Sequence, residues 1–228
     1  MNVAIVVAAG KGTRLGGDRP KQFLELRGIP VIIHALRQFE RSKQISEVIT
    51  VLPAEETAGF ESLAGKFGLT KASRAVAGGA TRAQSVRNGL DQIASADIVA
   101  VHDGVRPFVT ADEIDRVVLA AQKTGAAILT AAVSDTIKRV ETDRIIETIP
   151  RTTVRRALTP QCFRFDILKR AYERLDELES NGIEITDDSL LVERLGVEIV
   201  SIEGGAQNIK ITNEADLALA ETILKSLS

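Results

Sequence analysis

The apolar residues of the chain follow two rhythms. Short runs rich in Val, Ile and Ala alternate with stretches whose apolar positions recur at helical spacing, a pattern of buried strands and amphipathic helices. "VAIVVAA" reads as the first strand and "PVIIHALRQFERS" as the first helix. "EVITVLP" and "AEETAGFESLAGKFG" repeat the pair, "SRAVAGG" leads into "TRAQSVRNGLDQIA", and "DIVAVHDG" into "TADEIDRVVLAAQKTG". Strands apolar at successive positions are covered on both faces, as in a parallel sheet joined by helical crossovers. The predicted class is therefore α/β, a mostly parallel twisted sheet with helices on both faces. Right-handed crossovers would bring the strand ends and their loops along one edge.

Near Ala132 the rhythm changes. "VSDTIKRVETDRIIETIPRTTVRRA" alternates like strands but carries many charges and few large apolar side chains, so it cannot build a core of its own. It reads as a projecting β-arm that needs another surface, a second subunit being the obvious one, or as a loose surface excursion. Beyond it "FDILKRAYERLDELE" is one helix, "TDDSLLVERLG" a helix capped by Thr186 or Asp187, "VEIVSIEG" and "NIKIT" strands, and "NEADLALAETILKSL" a final helix. With no repeat, low-complexity tract or linker, the expected organisation is one domain over 1–228 with an arm at about 133–156.

Composition narrows the function. The 228 residues are 44% hydrophobic, enough for a substantial core. Twenty-nine basic against 31 acidic residues leave no global field, so a nucleic-acid or membrane-surface role gains no support and any anion site must be local. Cys162 is the sole cysteine, which excludes an internal disulfide and suits a reducing, cytoplasmic setting. His34 and His102 lie far apart, giving no zinc pattern. The opening apolar run is short and lacks a basic leader, so it reads as a strand rather than a signal or spanning helix.

A local anion site is offered by "AAGKGTRLGGDRPKQF", the loop after the first strand. It matches neither the P-loop nor the dinucleotide fingerprint. Lys11 lies between Gly10 and Gly12, and Gly16 comes one residue late for G-x-G-x-x-G. The loop nevertheless combines glycine backbone, which can approach a polyphosphate closely, with Arg14, Arg19 and Lys21 to neutralise it. A solvated surface loop is the alternative. Its position after a strand's carboxyl end favours the phosphate reading.

Four further stretches carry candidate chemistry. "GGATRAQSVRNG" sets Gly79 before a helix start, with Arg82 and Ser85 one turn apart, which suits a base edge, a phosphate or an ordinary turn. "VAVHDGVRPF" ends a strand at Asp103, followed by Arg106; the acid suits a ribose hydroxyl, a magnesium ion or a simple Asp-Gly turn. "ITDDS" places Thr186 beside a helix cap. In "NIKIT", Lys210 falls on the face opposite Ile209 and Ile211, as an edge guard or as a cation turned into a cleft. No Ser–His–Asp set can be assembled and Cys162 has no basic helper in sequence, so phosphate chemistry without a covalent nucleophile is favoured.

Ala8 through Lys21 follow the "AAGxGxRL…PK" signature of sugar-phosphate nucleotidyltransferases. The ordered set "PKQF", "GGATRAQSV", "VHDGVRPF", "DTIKR", "ALTPQCF", "TDD" and "NIKIT" resembles the 2-C-methyl-D-erythritol 4-phosphate cytidylyltransferases of the non-mevalonate isoprenoid pathway, over essentially the whole chain. The resemblance implies a Rossmann-like nucleotidyltransferase fold, CTP as substrate, a Mg²⁺ cofactor and a homodimer formed through the arm. It implies that Arg14 and Lys21 stabilise the transition state, and that Ala8, Ala9, Gly10, Gly79, Arg82, Ser85 and Asp103 receive CTP, with Asp103 also near the metal. Arg106, Thr136, Arg151, Thr159, Thr186 and Lys210 would surround the polyol phosphate, Thr136 and Arg151 reaching the partner's site. One departure is Pro150, where the family often has aspartate before this arginine. Two alternatives remain at this level: a ribitol 5-phosphate cytidylyltransferase, and a non-catalytic nucleotide-binding module.

Overall fold

A computed structural model describes residues 1–10, 20–72 and 74–226. Arg14 and Arg19, named above as phosphate ligands, lie outside the described residues. The first half alternates as the hydrophobic rhythm requires. β1 (Asn2–Val7) is followed by the two-residue strands β2 (Glu25–Leu26) and β3 (Ile29–Pro30), then α1 (Val31–Arg41), β4 (Glu47–Leu52), α2 (Thr57–Lys66) and β5 (Arg74–Ala77). α3 (Arg82–Leu90), β6 (Ile98–Asp103) and α4 (Ala111–Thr124) complete it. α4 shows how local chemistry sets the boundaries. Thr110 and Glu113 form a reciprocal capping box at its start, and Gly125 ends it at φ 91°.

The second half is β7 (Ala126–Ala132), the hairpin β8 (Ile137–Glu141) and β9 (Arg144–Ile149), and the long strand β10 (Arg155–Arg164). α5 (Phe165–Tyr172), α6 (Leu175–Ser180), α7 (Asp188–Glu193), β11 (Val200–Glu203) and α8 (Glu214–Ser226) follow. Two expectations are corrected here. "FDILKRAYERLDELE" is two helices rather than one, because the chain tightens where the Arg174 N–H donates to the Ala171 carbonyl only three residues back. "NIKIT" is not a strand. It is strapped to the turn after β6 by a hydrogen bond from the Ile211 N–H to the Val105 carbonyl, 2.9 Å, while Ile211 packs against Leu26, Val31, Phe108 and Ala220. Its alternation serves that small cluster, with no sheet edge involved.

Among the described residues seven strands form the main sheet, in the order β11-β7-β10-β6-β1-β4-β5. All neighbours are parallel except β10, which runs antiparallel to both β6 and β7. Two apolar layers cover the sheet. Ala4, Val6, Val48 and Ala100 face α1, α2 and α4 through Ile33, Leu36, Phe60, Ile114 and Val117. Val3, Ile5, Val51 and Val99 face α3, α5, α6 and α7 through Val86, Leu168, Leu175 and Leu191. The chain turns from β1 toward β4 and β5, then returns to place β6 on the other side of β1. The carboxyl ends of β1 and β6, where Val7 pairs with Asp103, are thus a topological switch point, the usual ligand crevice of an open α/β sheet.

The β8–β9 hairpin forms a separate two-stranded sheet. Thr142 and Asp143 at its tip both take positive φ, 46° and 64°, the backbone that a tight hairpin turn requires. Val140, Ile145 and Ile146 stay more than half exposed on it, an apolar surface that the charged pattern had only partly disguised.

Gly89 shows how closely α3 sits on the sheet: a Cβ there would lie 2.8 Å from Ile5 Cγ2 and 3.1 Å from Val51 Cγ2. On an exposed helix Gly→Ala would gain helix propensity. Here overpacking outweighs that gain, and Gly89→Ala is expected to lower unfolding free energy by ~1–3 kcal/mol in urea titration.

Candidate functional site

At the switch point lies a pocket of about 480 Å³. Ala8, Ala9 and Gly10 line it from the exit of β1, Lys21 and Gln22 from the first loop's far end, Gly79, Arg82 and Ser85 from the start of α3, and Asp103 and Lys210 from the opposite wall. Residues spread over two hundred positions of sequence are thus brought to one cavity, by strand order and, for Lys210, by the strap to the turn after β6. The α3 wall requires glycine where it meets β1, since a Cβ on Gly78 would fall 2.2 Å from the Ala9 Cβ. The turn is then closed internally. The Gly79 N–H donates to Ser85 Oγ, whose own proton goes to the Thr81 carbonyl, and the Thr81 hydroxyl accepts from the Gln84 N–H as the helix cap.

Asp103 is the electrostatic centre. Arg82 Nε donates to its Oδ1 at 2.9 Å, while Lys210 Nζ at 3.0 Å and Arg106 Nε at 3.4 Å approach its Oδ2. Burial alone would raise the carboxyl's pKa, but Arg82, Lys210 and Arg106 together outweigh it and hold Asp103 well below the usual carboxylate range. Arg82 is likewise held charged: burial opposes its charge, and Asp188 and Asp103 overcome it. Arg106 is the converse case, since burial outweighs its attraction to Asp103 and lowers its pKa. Its Nη1 also donates to the Asn208 carbonyl at 2.9 Å, tying the loop that carries Lys210 to the turn after β6.

Thr159 holds the backbone of Asp103 from behind. The β10 pairing register shifts between Ala157 and Gln161, a bulge that takes Thr159 out of the ladder. Its hydroxyl accepts from the Asp103 N–H at 3.2 Å and meets His102 Nδ1 at 2.9 Å. His102 Nε2 lies 3.1 Å from the Arg106 carbonyl, which can only accept. The imidazole therefore carries its proton on Nε2, and Nδ1 accepts from Thr159. One relay of hydrogen bonds fixes Asp103, Thr159, His102 and Arg106 in a single arrangement.

The sequence-derived set divides. Ala8, Ala9, Gly10, Lys21, Gly79, Arg82, Ser85, Asp103 and Lys210 meet at the pocket, and Arg106 adjoins it through Asp103. Thr159 is buried with its hydroxyl engaged. Thr186 is exposed just before α7, and Asp187 rather than Thr186 caps that helix by accepting from the Leu190 N–H. Thr136 and Arg151 lie on the arm, where Arg151 Nη1 donates to the Ser134 carbonyl at 3.0 Å. Sequence reasoning missed Gln22, which lines the pocket fully buried with neither amide atom hydrogen-bonded among the described residues. It also missed Asp188, which pairs with Arg82, and Tyr172 beyond it. Among the described residues no three His, Cys, Asp or Glu side chains gather as a metal cage, and no helix is long and apolar enough to cross a membrane.

Comparison with known proteins shows what the chain is similar to. Residues 2–226 match the family model of 2-C-methyl-D-erythritol 4-phosphate cytidylyltransferase, IspD. A protein of that name from Bacillus velezensis is 43% identical over 227 residues, 99% of this chain and 97% of its own. Another from Geobacillus kaustophilus is 41% identical over 98% of this chain and 96% of its own. Among solved structures, the 4-diphosphocytidyl-2C-methyl-D-erythritol synthase of Anaerococcus prevotii superposes with a TM-score of 0.86 at 29% identity, covering 98% of each chain. The cytidylyltransferase of Thermus thermophilus does so with a TM-score of 0.75 at 32% identity, over 97% of this chain and 98% of its own.

The relay has a measurable consequence for stability. Burial lowers the His102 pKa from 6.5 to about 4, more than nearby Asp103 can restore. As pH falls through this interval the unfolded imidazole binds a proton that the folded one refuses, so stability is lost progressively, by ~3 kcal/mol in all. Burial lowers the His34 pKa as well, in the same sense. Urea titrations across this range should show the slope, and His102→Gln should flatten it.

Proposed function

Because the chain belongs to the 2-C-methyl-D-erythritol 4-phosphate cytidylyltransferase family, we propose that its pocket at the β1–β6 switch point is where CTP and the polyol phosphate react. The activity itself is that of the family: CTP and 2-C-methyl-D-erythritol 4-phosphate give 4-diphosphocytidyl-2-C-methyl-D-erythritol and pyrophosphate, in isoprenoid precursor synthesis. It stands over the ribitol 5-phosphate and non-catalytic readings. The observation that carries the location is the convergence of Arg82 and Lys210 on Asp103 in a cavity that Lys21 also lines.

In this reading a 4-phosphate oxygen attacks the α-phosphorus in line. The new P–O bond forms as the bond to the bridging oxygen breaks, and pyrophosphate leaves with the electron pair. Negative charge accumulates on the five-coordinate phosphorus, where preorganised cations act most strongly. Lys21 lines the pocket at the end of the first loop and takes that role with Arg14, while Ala8, Ala9 and Gly10 supply the narrow backbone wall. Gly79, Arg82 and Ser85 form the nucleoside side, and Asp103 accepts from the ribose. Arg106 and Lys210 face the polyol phosphate, with Thr159 and Thr186 framing it.

Mg²⁺ fits this donor set only as an ion held chiefly by the triphosphate. Asp103 is the one carboxylate among the described lining residues, and it is already engaged by three cations. Bound there, the ion would neutralise phosphate charge on the departing pyrophosphate.

The whole chain acts as one nucleotidyltransferase domain, with the arm at about 133–156 as its dimerisation element. Exposed Val140, Ile145 and Ile146 support docking onto a second copy, which would receive Thr136 and Arg151 in its own site. A cytoplasmic setting suits Cys162, a buried thiol whose pKa burial raises, leaving it inert.

Two outcomes test these assignments. Lys21→Ala should lower kcat at least ~10²-fold in a pyrophosphate-release assay. Wild-type turnover would remove Lys21 from the chemistry. Arg151→Ala should mainly impair use of the polyol phosphate. Mixing equal amounts of Lys21→Ala and Arg151→Ala subunits under exchange should restore about a quarter of wild-type activity, because half the dimers would hold one intact site of two. Absence of recovery would place Arg151 in its own subunit's site.

A further inference from the structure

Behind the nucleotide side of the pocket sits a buried acid with no part in the chemistry above. Asp188 opens α7 and is fully buried. Its backbone is fixed by Gln161, whose Oε1 accepts from the Asp188 N–H at 3.0 Å and the Ser189 N–H at 2.9 Å. Its carboxylate is held at both oxygens. Tyr172 donates its hydroxyl to Oδ1 at 2.5 Å, and Arg82 Nη2 donates to Oδ2 at 2.9 Å. Arg82 gives its Nε to Asp103 Oδ1 at 2.9 Å. One guanidinium is therefore divided between two carboxylates, and its Nη1 is buried with no hydrogen-bond partner among the described residues.

The division has a geometric effect and an electrostatic one. A single contact lets a guanidinium pivot, whereas two contacts from different nitrogens fix its plane and the direction of the remaining donor. Asp103 also receives Lys210 and Arg106. If nothing held Arg82 on its far side, that cation could close bidentately on Asp103 and occupy the acceptor that a ribose hydroxyl needs.

We propose that Asp188, braced by Tyr172, is a positioning residue that holds the Arg82 guanidinium at the nucleotide subsite and limits its hold on Asp103 to the single Nε–Oδ1 contact. The inference rests on the pocket being the CTP site. Asp188 touches neither substrate, and its influence passes through Arg82. Burial, reinforced by the neighbouring Asp188 charge, drives the Tyr172 pKa well upward, so its hydroxyl remains a proton donor throughout the working pH range.

The test is a split between the two substrates. Asp188→Asn, nearly the same size but uncharged, should raise the KM for CTP ~10-fold, as a small misplacement of a binding group does. The KM for 2-C-methyl-D-erythritol 4-phosphate should stay within ~2-fold, because Arg82 lies on the other wall of the pocket. Tyr172→Phe keeps the ring and should raise the CTP KM alone by ~3-fold, deciding the matter if Asp188→Asn does not fold. In an Arg82→Gln background, both changes should add nothing further to the CTP KM. Loss of folded protein with unaltered CTP KM, or equal effects on both substrates, would make Asp188 merely structural and overturn the proposal. If Arg82→Gln is defective for CTP while Asp188→Asn and Tyr172→Phe bind it normally, the inference fails and the pocket stands. If Arg82→Gln binds CTP normally, both fail.

Discussion

The pocket depends on one carboxylate that keeps three cations together. Arg82, Arg106 and Lys210 come from a helix start, a turn and a distant loop, and Asp103 is the charge on which all three converge. Without it their mutual repulsion in a poorly solvated crevice would drive them apart, since removing one partner of a buried ionic group leaves the rest uncompensated. Much of the surrounding architecture fixes the position of that carboxylate. The β1–β6 register brings it level with Val7, and the bulge in β10 supplies the hydroxyl that secures its N–H.

With the reaction placed at this pocket, the arrangement also accounts for how a chain of formal net charge −2 would serve anionic substrates. Around Asp103 three cations meet two carboxylates, Asp103 and Asp188. The excess is local, set between low-dielectric walls that focus its field. On the proposed assignment these cations are oriented in advance, so little reorganisation is left for the chemical step.

Most of the scaffold could be read from the sequence because it is made of repeated local decisions. β1, β4 and β6 announce themselves by β-branched runs, and a helix at period 3.6 follows each of them along the chain. β7 and β10 were less legible. Their small residues, as in "AAILTAA" and "RRALTPQCFR", suit several environments, and nothing local reveals that β10 runs against its neighbours. "NIKIT" misled because an alternating segment strapped to a turn looks like one in a ladder. Within the site, Lys21, Asp103 and Lys210 were legible as charges in otherwise apolar or glycine-rich settings. Asp188 was not, for its neighbour Asp187 already accounts for a helix cap and its partner Arg82 lies 106 residues away. Long-range pairing of buried charge leaves no local periodicity to find.

The hairpin and the pocket floor are more closely joined than their separation suggests. β10 begins at the base of the arm and carries, at its bulge and just beyond, Thr159 and Gln161, the side chains that brace the Asp103 backbone and the start of α7. Paired with β7 on one side and, from Gln161 onward, with β6 on the other, it joins the main sheet to the hairpin that carries the exposed apolar side chains. A partner that took hold of that hairpin would therefore be tied through a single strand to the crevice where we place the reaction.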